Sequence, residues 1–169
     1  MFKHILMPTD GSQHSERAVE RGIQLAKLCG AKVTGIHVIQ DHRFIDAGDG
    51  WIDPVAGETL QTEGRSRATA FLAFVQRTAD ASQVPCETIV ATDNRPFDAI
   101  VDAANARGCD LIIMTSRSRK GLASVLIGSG STRVLHRSSI PVLMFRAIMS
   151  SDHPEAPRVP AAQLETLQT

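Results

Sequence analysis

The sequence predicts an α/β protein built on an open, parallel five-stranded sheet with helices on both faces, Rossmann-like in layout. Three observations carry this. Short apolar runs rich in β-branched residues recur five times along 169 residues. Amphipathic stretches of helical period separate them. Every crossover contains a helix, which makes neighbouring strands parallel and covers the sheet on both sides. The length suits one domain with a full core, since two domains would each be too small.

The elements follow in order. Lys3 to Met7 is a buried strand ended by Pro-Thr-Asp-Gly. Ser12 to Leu28 is a helix, with Ala18, Gly22, Leu25, Ala26 and Cys29 on one face. Ser12 or Ser15 can cap it, Glu16 suits its first turn, and Gly30 closes it. Lys32 to Ile39 is the second strand. Gln40 to Gly57 has no period and reads as a long loop containing the single Trp51. Thr59 to Ala81 is the second helix, with Ala68, Phe71, Leu72, Val75 and Ala79 inward. Cys86 to Ala91 is the third strand. Asp93 or Asn94 then caps a helix with Pro96 in its first turn and Phe97, Ile100, Val101 and Ala104 inward. Gly108 ends it. Asp110 to Thr115 is a continuous apolar run, as expected of a strand covered on both faces. A loop from Ser116 to Ser131 precedes a short helix with Val134 and Leu135 inward. Ile140 to Arg146 is the last strand. The domain is taken as residues 1–147. Residues 148–169 read as a disordered tail, being Pro-rich and polar.

Composition narrows the function. The chain is 43% hydrophobic and 21% charged, with zero formal net charge. No general cationic excess exists to attract nucleic acid or an acidic membrane. No stretch approaches the roughly 20 apolar residues of a membrane helix, and the N-terminal apolar run is too short for a secretory signal. Cys29, Cys86 and Cys109 are far apart, without zinc or C-x-x-C spacing, and fit buried thiols of a reducing cytoplasm. The six histidines show no metal-like pairing. His37, inside a strand, reads as a packed structural side chain.

In sheets of this kind ligands sit beyond the carboxyl ends of the strands, where strand order reverses. Pro8-Thr9-Asp10, Val38 and the segment from Met114 should meet there. The loop after the fourth strand is the most informative feature. Its end, Gly128-Ser-Gly-Ser-Thr132, opens a helix whose N–H groups and dipole suit a phosphate. Glycines permit close approach, and Ser129, Ser131 and Thr132 add hydroxyls. Arg117, Arg119 and Lys120 either serve the same anion or form a solvated face. Asp10 either serves a ligand or caps a turn. Competing sites are absent: no G-x4-G-K-[ST], no G-x-S-x-G, no G-x-G-x-x-G after the first strand, and no acidic constellation of a phosphorelay receiver. No base–nucleophile pair can be assigned.

These residues resemble the universal stress protein family. Its nucleotide-binding branch carries G-x2-G-x9-G-[ST] after the fourth strand, and the spacing fits Thr115, Ser118 and Gly128-Ser129. The closing Gly-Ser is present, while Thr115 and Ser118 replace the opening glycines. HILMPTDGS, IHV, DLIIM and SSIPVLMFR complete the likeness over residues 2 to 146. The resemblance implies the fold of adenine nucleotide alpha hydrolase-like proteins. It also implies a cytoplasmic stress-response switch or sensor that binds ATP or a related adenine nucleotide, with Mg²⁺ between phosphate oxygens. Pro8, Thr9 and Asp10 would lie near ribose or phosphates, the Val38 backbone would meet the adenine edge, and Met114 and Thr115 would flank the ribose. Arg117, Ser118, Gly128, Ser129, Ser131 and Thr132 would line the phosphate end. Any ATP hydrolysis would be slow, for want of a base. A homodimer through Ile140 to Phe145 is also implied. The alternative is a member of the family that binds no nucleotide and acts through protein partners.

Overall fold

A computed structural model describes residues 1–40, 54–116 and 129–146. The elements alternate as β1 (His4–Pro8), α1 (Gln13–Cys29), β2 (Lys32–Ile39), α2 (Pro54–Ala81), β3 (Cys86–Thr92), α3 (Pro96–Ala106), β4 (Leu111–Ser116), α4 (Ser129–Arg137) and β5 (Val142–Arg146). All four strand pairings are parallel, in the order β3-β2-β1-β4-β5.

Strand alternation divides the core in two. Ile5 and Met7 of β1 join Val19, Ile23 and Ala26 of α1 and Val75 and Ala79 of α2 on one face. Leu6 faces the other way, onto Ile100, Val101 and Ala104 of α3 and Val134 of α4. β1 is therefore apolar on both sides, and Ile5, Leu6 and Met7 form an unbroken buried run. Two glycines let α2 approach β2 closely. A methyl group at Gly35 would lie 3.0 Å from Val75 Cγ1, and one at Gly64 would lie 2.9 Å from Ile39 Cγ2.

Caps fix the helix ends. Ser12 is the N-cap of α1, accepting the Ser15 N–H, and Gly30 closes the helix in the left-handed region. Three expectations are corrected. α2 starts at Pro54 rather than Thr59, because proline is at home in a first helical turn. Neither Asp93 nor Asn94 caps α3: the N-cap is Arg95 without a side-chain bond, and Asp93 Oδ1 accepts the Arg95 N–H just outside the helix. Leu135 is exposed on α4, and Val134 alone of that pair is buried. Other boundaries shift by a residue or two. Trp51, Arg119, Lys120 and the tail lie outside the described residues.

Candidate functional site

The sheet order creates an opening at the carboxyl ends of β1 and β4. The chain steps outward from β1 through β2 to β3, then crosses to β4 and β5. The connection from β1 leads to α1 on one face, and α4 after β4 packs on the other. In sheets of this kind the ligand crevice lies at such a reversal, between the helices that start on opposite faces.

The β1 connection is held by its own side chains. The Thr9 N–H donates to Ile36 O at 2.9 Å, extending the β1–β2 ladder by one residue. The Ser15 hydroxyl donates to Ser12 O at 2.8 Å, so in the 3.2 Å contact between Thr9 Oγ1 and Ser15 Oγ the threonine is the donor. Thr9 Oγ1 also accepts the Gly11 N–H. Asp10 Oδ1 accepts the Ser12 N–H at 3.0 Å and the Ser12 hydroxyl at 2.6 Å. Asp10 thus orders the turn, as a plain turn residue would, while standing at the end of β1.

Two side chains brace this connection from β2 and α2. His37 Nδ1 lies 2.7 Å from Thr9 O, which can only accept, so Nδ1 carries the hydrogen. The His37 ring meets Phe71 edge to face, centroids 5.2 Å apart. Phe71 also lies over Gly11, whose φ of +71° favours glycine, and an added methyl group there would overlap the ring. The packed structural role expected of His37 is what the structure shows. The bracing of Gly11 by Phe71 was not legible, since helical period alone marks Phe71 as a core position.

Val38 offers its backbone to the crevice. Peptide groups along a strand point alternately to its two neighbours. Ile36 O bonds toward β1, while Ile39 O accepts the Asp93 N–H on the β3 side. The N–H and C=O of Val38 therefore face the β1 side, past Pro8↔Ile36, the last β1–β2 pairing. On the far side of the crevice Met114 is buried, and Thr115 pairs with Phe145 of β5. Among the described residues only Gln83 is a non-glycine with positive φ. Threonine at 115 is thus unstrained, and a β-branched residue suits its strand position.

α4 begins beside β4. Ser131 is buried, and its hydroxyl donates to Thr115 O at 3.4 Å. Thr132 is half-buried one residue on. Pro8, Thr9, Asp10, Val38, Met114, Thr115, Ser129, Ser131 and Thr132 accordingly gather around the ends of three adjacent strands and the start of α4. Arg117, Ser118 and Gly128 lie outside the described residues. Among the described residues, no group of three His, Cys, Asp or Glu could hold a metal ion, and no helix is long and apolar enough to cross a membrane.

The opposite end of the sheet carries a polar network. His4 Nε2 is 2.7 Å from Thr34 Oγ1, which donates to Glu87 Oε1 at 2.9 Å, and Arg107 pairs with Glu87 Oε2 at 2.8 Å. Burial, then Lys32, lowers the His4 pKa below its ordinary 6.5. The Thr34 and Arg107 bonds lower that of Glu87. Burial pushes the Cys86 and Cys109 thiols up to about 11, which leaves both poor nucleophiles.

This geometry defines a doubly wound parallel α/β protein whose strand order reverses between β1 and β4. Residues 1–146 match the universal stress protein family, and the chain belongs to it. It is 31% identical over 148 residues to universal stress protein MJ0531 of Methanocaldococcus jannaschii, covering 86% of this chain and 83% of that one. The solved structure of hypothetical protein MJ0577 superposes with a TM-score of 0.72 at 26% identity, covering 89% of this chain and 99% of that one. A universal stress protein in complex with cAMP superposes with a TM-score of 0.61 at 26% identity, covering 85% and 97%.

Proposed function

We propose that this protein binds an adenine nucleotide, ATP or a relative of it, in the β1/β4 crevice and acts as a nucleotide-dependent switch or sensor in a stress response. The observation that carries the reading is the Val38 backbone, whose donor and acceptor face the space beyond the end of β1. An adenine edge presents one acceptor and one donor side by side and complements such a pair. The cAMP complex of a relative at 26% identity supports the same ligand class. Asp10, Met114 and Thr115 would then border the ribose. Ser118, Gly128, Ser129 and Ser131 would hold the phosphates, with Mg²⁺ between phosphate oxygens where more than one is present. A switch needs only different affinities in two states, so hydrolysis is not required.

One observation favours acting through a protein surface. β5 is an edge strand, and Leu143 on it is 39% exposed. An apolar edge invites pairing with a second chain, which supports a homodimer through residues 140–145. Calorimetric titration with ATP and with cAMP tests the nucleotide reading. The parent should bind at least one of them, and Gly128→Val should abolish that binding while the circular dichroism stays unchanged. A parent that binds neither at millimolar ligand would leave only the partner-binding reading.

A further inference from the structure

α3 and α4 both begin at the ligand end of the sheet, following the carboxyl ends of β3 and β4. Phe97 stands in the first turn of α3, beside Pro96, and packs on the core shared by α3 and α4. Gly130 is the second residue of α4. A methyl group added at Gly130 would overlap the Phe97 ring, so the aromatic edge occupies the space a side chain would fill. The next residue, Ser131, is tied to Thr115 at the end of β4. Two successive residues therefore hold the first turn of α4 from two sides, one against α3 and one against β4. Val134, fully buried, anchors the turn that follows.

We propose that Phe97 is the positioning residue of the phosphate end of this site. It touches no ligand and acts through Gly130, fixing where the α4 N–H groups point. The inference rests on the nucleotide reading given above. Glycine is the weakest ordinary helix former, and a glycine at 130 makes sense where the ring needs its space. An anion-binding helix start depends on direction: a small tilt moves its N–H groups off the phosphate.

The test uses the full chain with Gly130→Ala, Phe97→Leu and the double variant, titrated with ATP and cAMP. Amide exchange is followed over residues 131–134. Gly130→Ala should weaken nucleotide binding about tenfold, equivalent to about 1.4 kcal/mol, and speed exchange in the first turn of α4. Phe97→Leu in the same chain should restore much of both, because the smaller side chain makes room. Parental affinity and exchange in Gly130→Ala would overturn the proposal, as would a double variant no better than the single. If the parent binds no nucleotide, the functional reading fails separately, and unchanged exchange in Gly130→Ala would then refute the anchoring of α4 as well.

Discussion

Thr34→Val tests the polar network at the amino end of the sheet. Thr34 is fully buried, and valine matches its shape but not its hydroxyl. A carboxylate only accepts, so the Thr34 hydrogen goes to Glu87 and the His4 Nε2 hydrogen goes to Thr34. Valine removes both bonds. Glu87, with its side chain 44% exposed, recovers water and its Arg107 partner, so its loss is small. His4 is 4% exposed and is left with an unsatisfied N–H, which costs about 1–3 kcal/mol. The net loss should be about 2–3 kcal/mol, or roughly 5–10 °C in the thermal midpoint for a domain of this size. Urea unfolding at pH 7 measures it, with the m-value as a control on two-state behaviour. A loss under about 0.5 kcal/mol would refute the network as drawn. The parent should also weaken on acidification. His4 has a lowered folded pKa, so its contribution is complete above its ordinary 6.5 and is lost as pH falls below that value. Glu87 is likewise lowered, so its contribution holds above 4.5 and is lost as pH falls through the folded value. Lys32 and Asp110 act on His4 in opposite directions, and Lys32 is the stronger. A parent whose midpoint is flat from pH 7 to pH 5 would contradict this assignment.

Two further outcomes follow from the rims of the site. Leu143→Glu should convert the proposed homodimer to monomer in light scattering without loss of secondary structure, and a parent already monomeric at micromolar concentration would refute the β5 pairing. Gly11→Ala should cost about 2 kcal/mol or more, since alanine at φ +71° is strained and its methyl group must displace Phe71. An unchanged thermal midpoint would show that Phe71 yields freely.

The alternation of apolar runs and helical periods made the sheet and its parallel sense legible in the sequence. Gly30 was equally readable and the N-cap of α1 was narrowed to Ser12 or Ser15, because caps are local chemistry. The start of α2 was not, since residues 54–58 hold too few apolar residues to show a period, and Pro54 suits both a loop and a first turn. The contacts of Phe71 with Gly11 and of Phe97 with Gly130 join residues distant along the chain, and no local pattern marks them. His4, Thr34 and Glu87 meet only because β1, β2 and β3 pair in one particular register. A glycine at 115 would have permitted positive φ or a close approach without requiring either. Its replacement is explained by the strand conformation found there, which spacing alone could not show.

The length of α2 has a consequence for traffic at the ligand end. Its 28 residues span about 42 Å, whereas the eight of β2 span about 26 Å. Gly64 lies against Ile39, the last residue of β2. Residues 54–63 therefore stand about 15 Å above the rim of the sheet. Among the described residues the α3 and α4 side has no counterpart, with helices of 11 and nine residues that begin near the strand ends. The described residues thus form a tall wall on the α2 flank and a lower one on the flank of α3 and α4. Among these residues the lower approach runs over α3 and α4, the flank on which Phe97 and Gly130 meet.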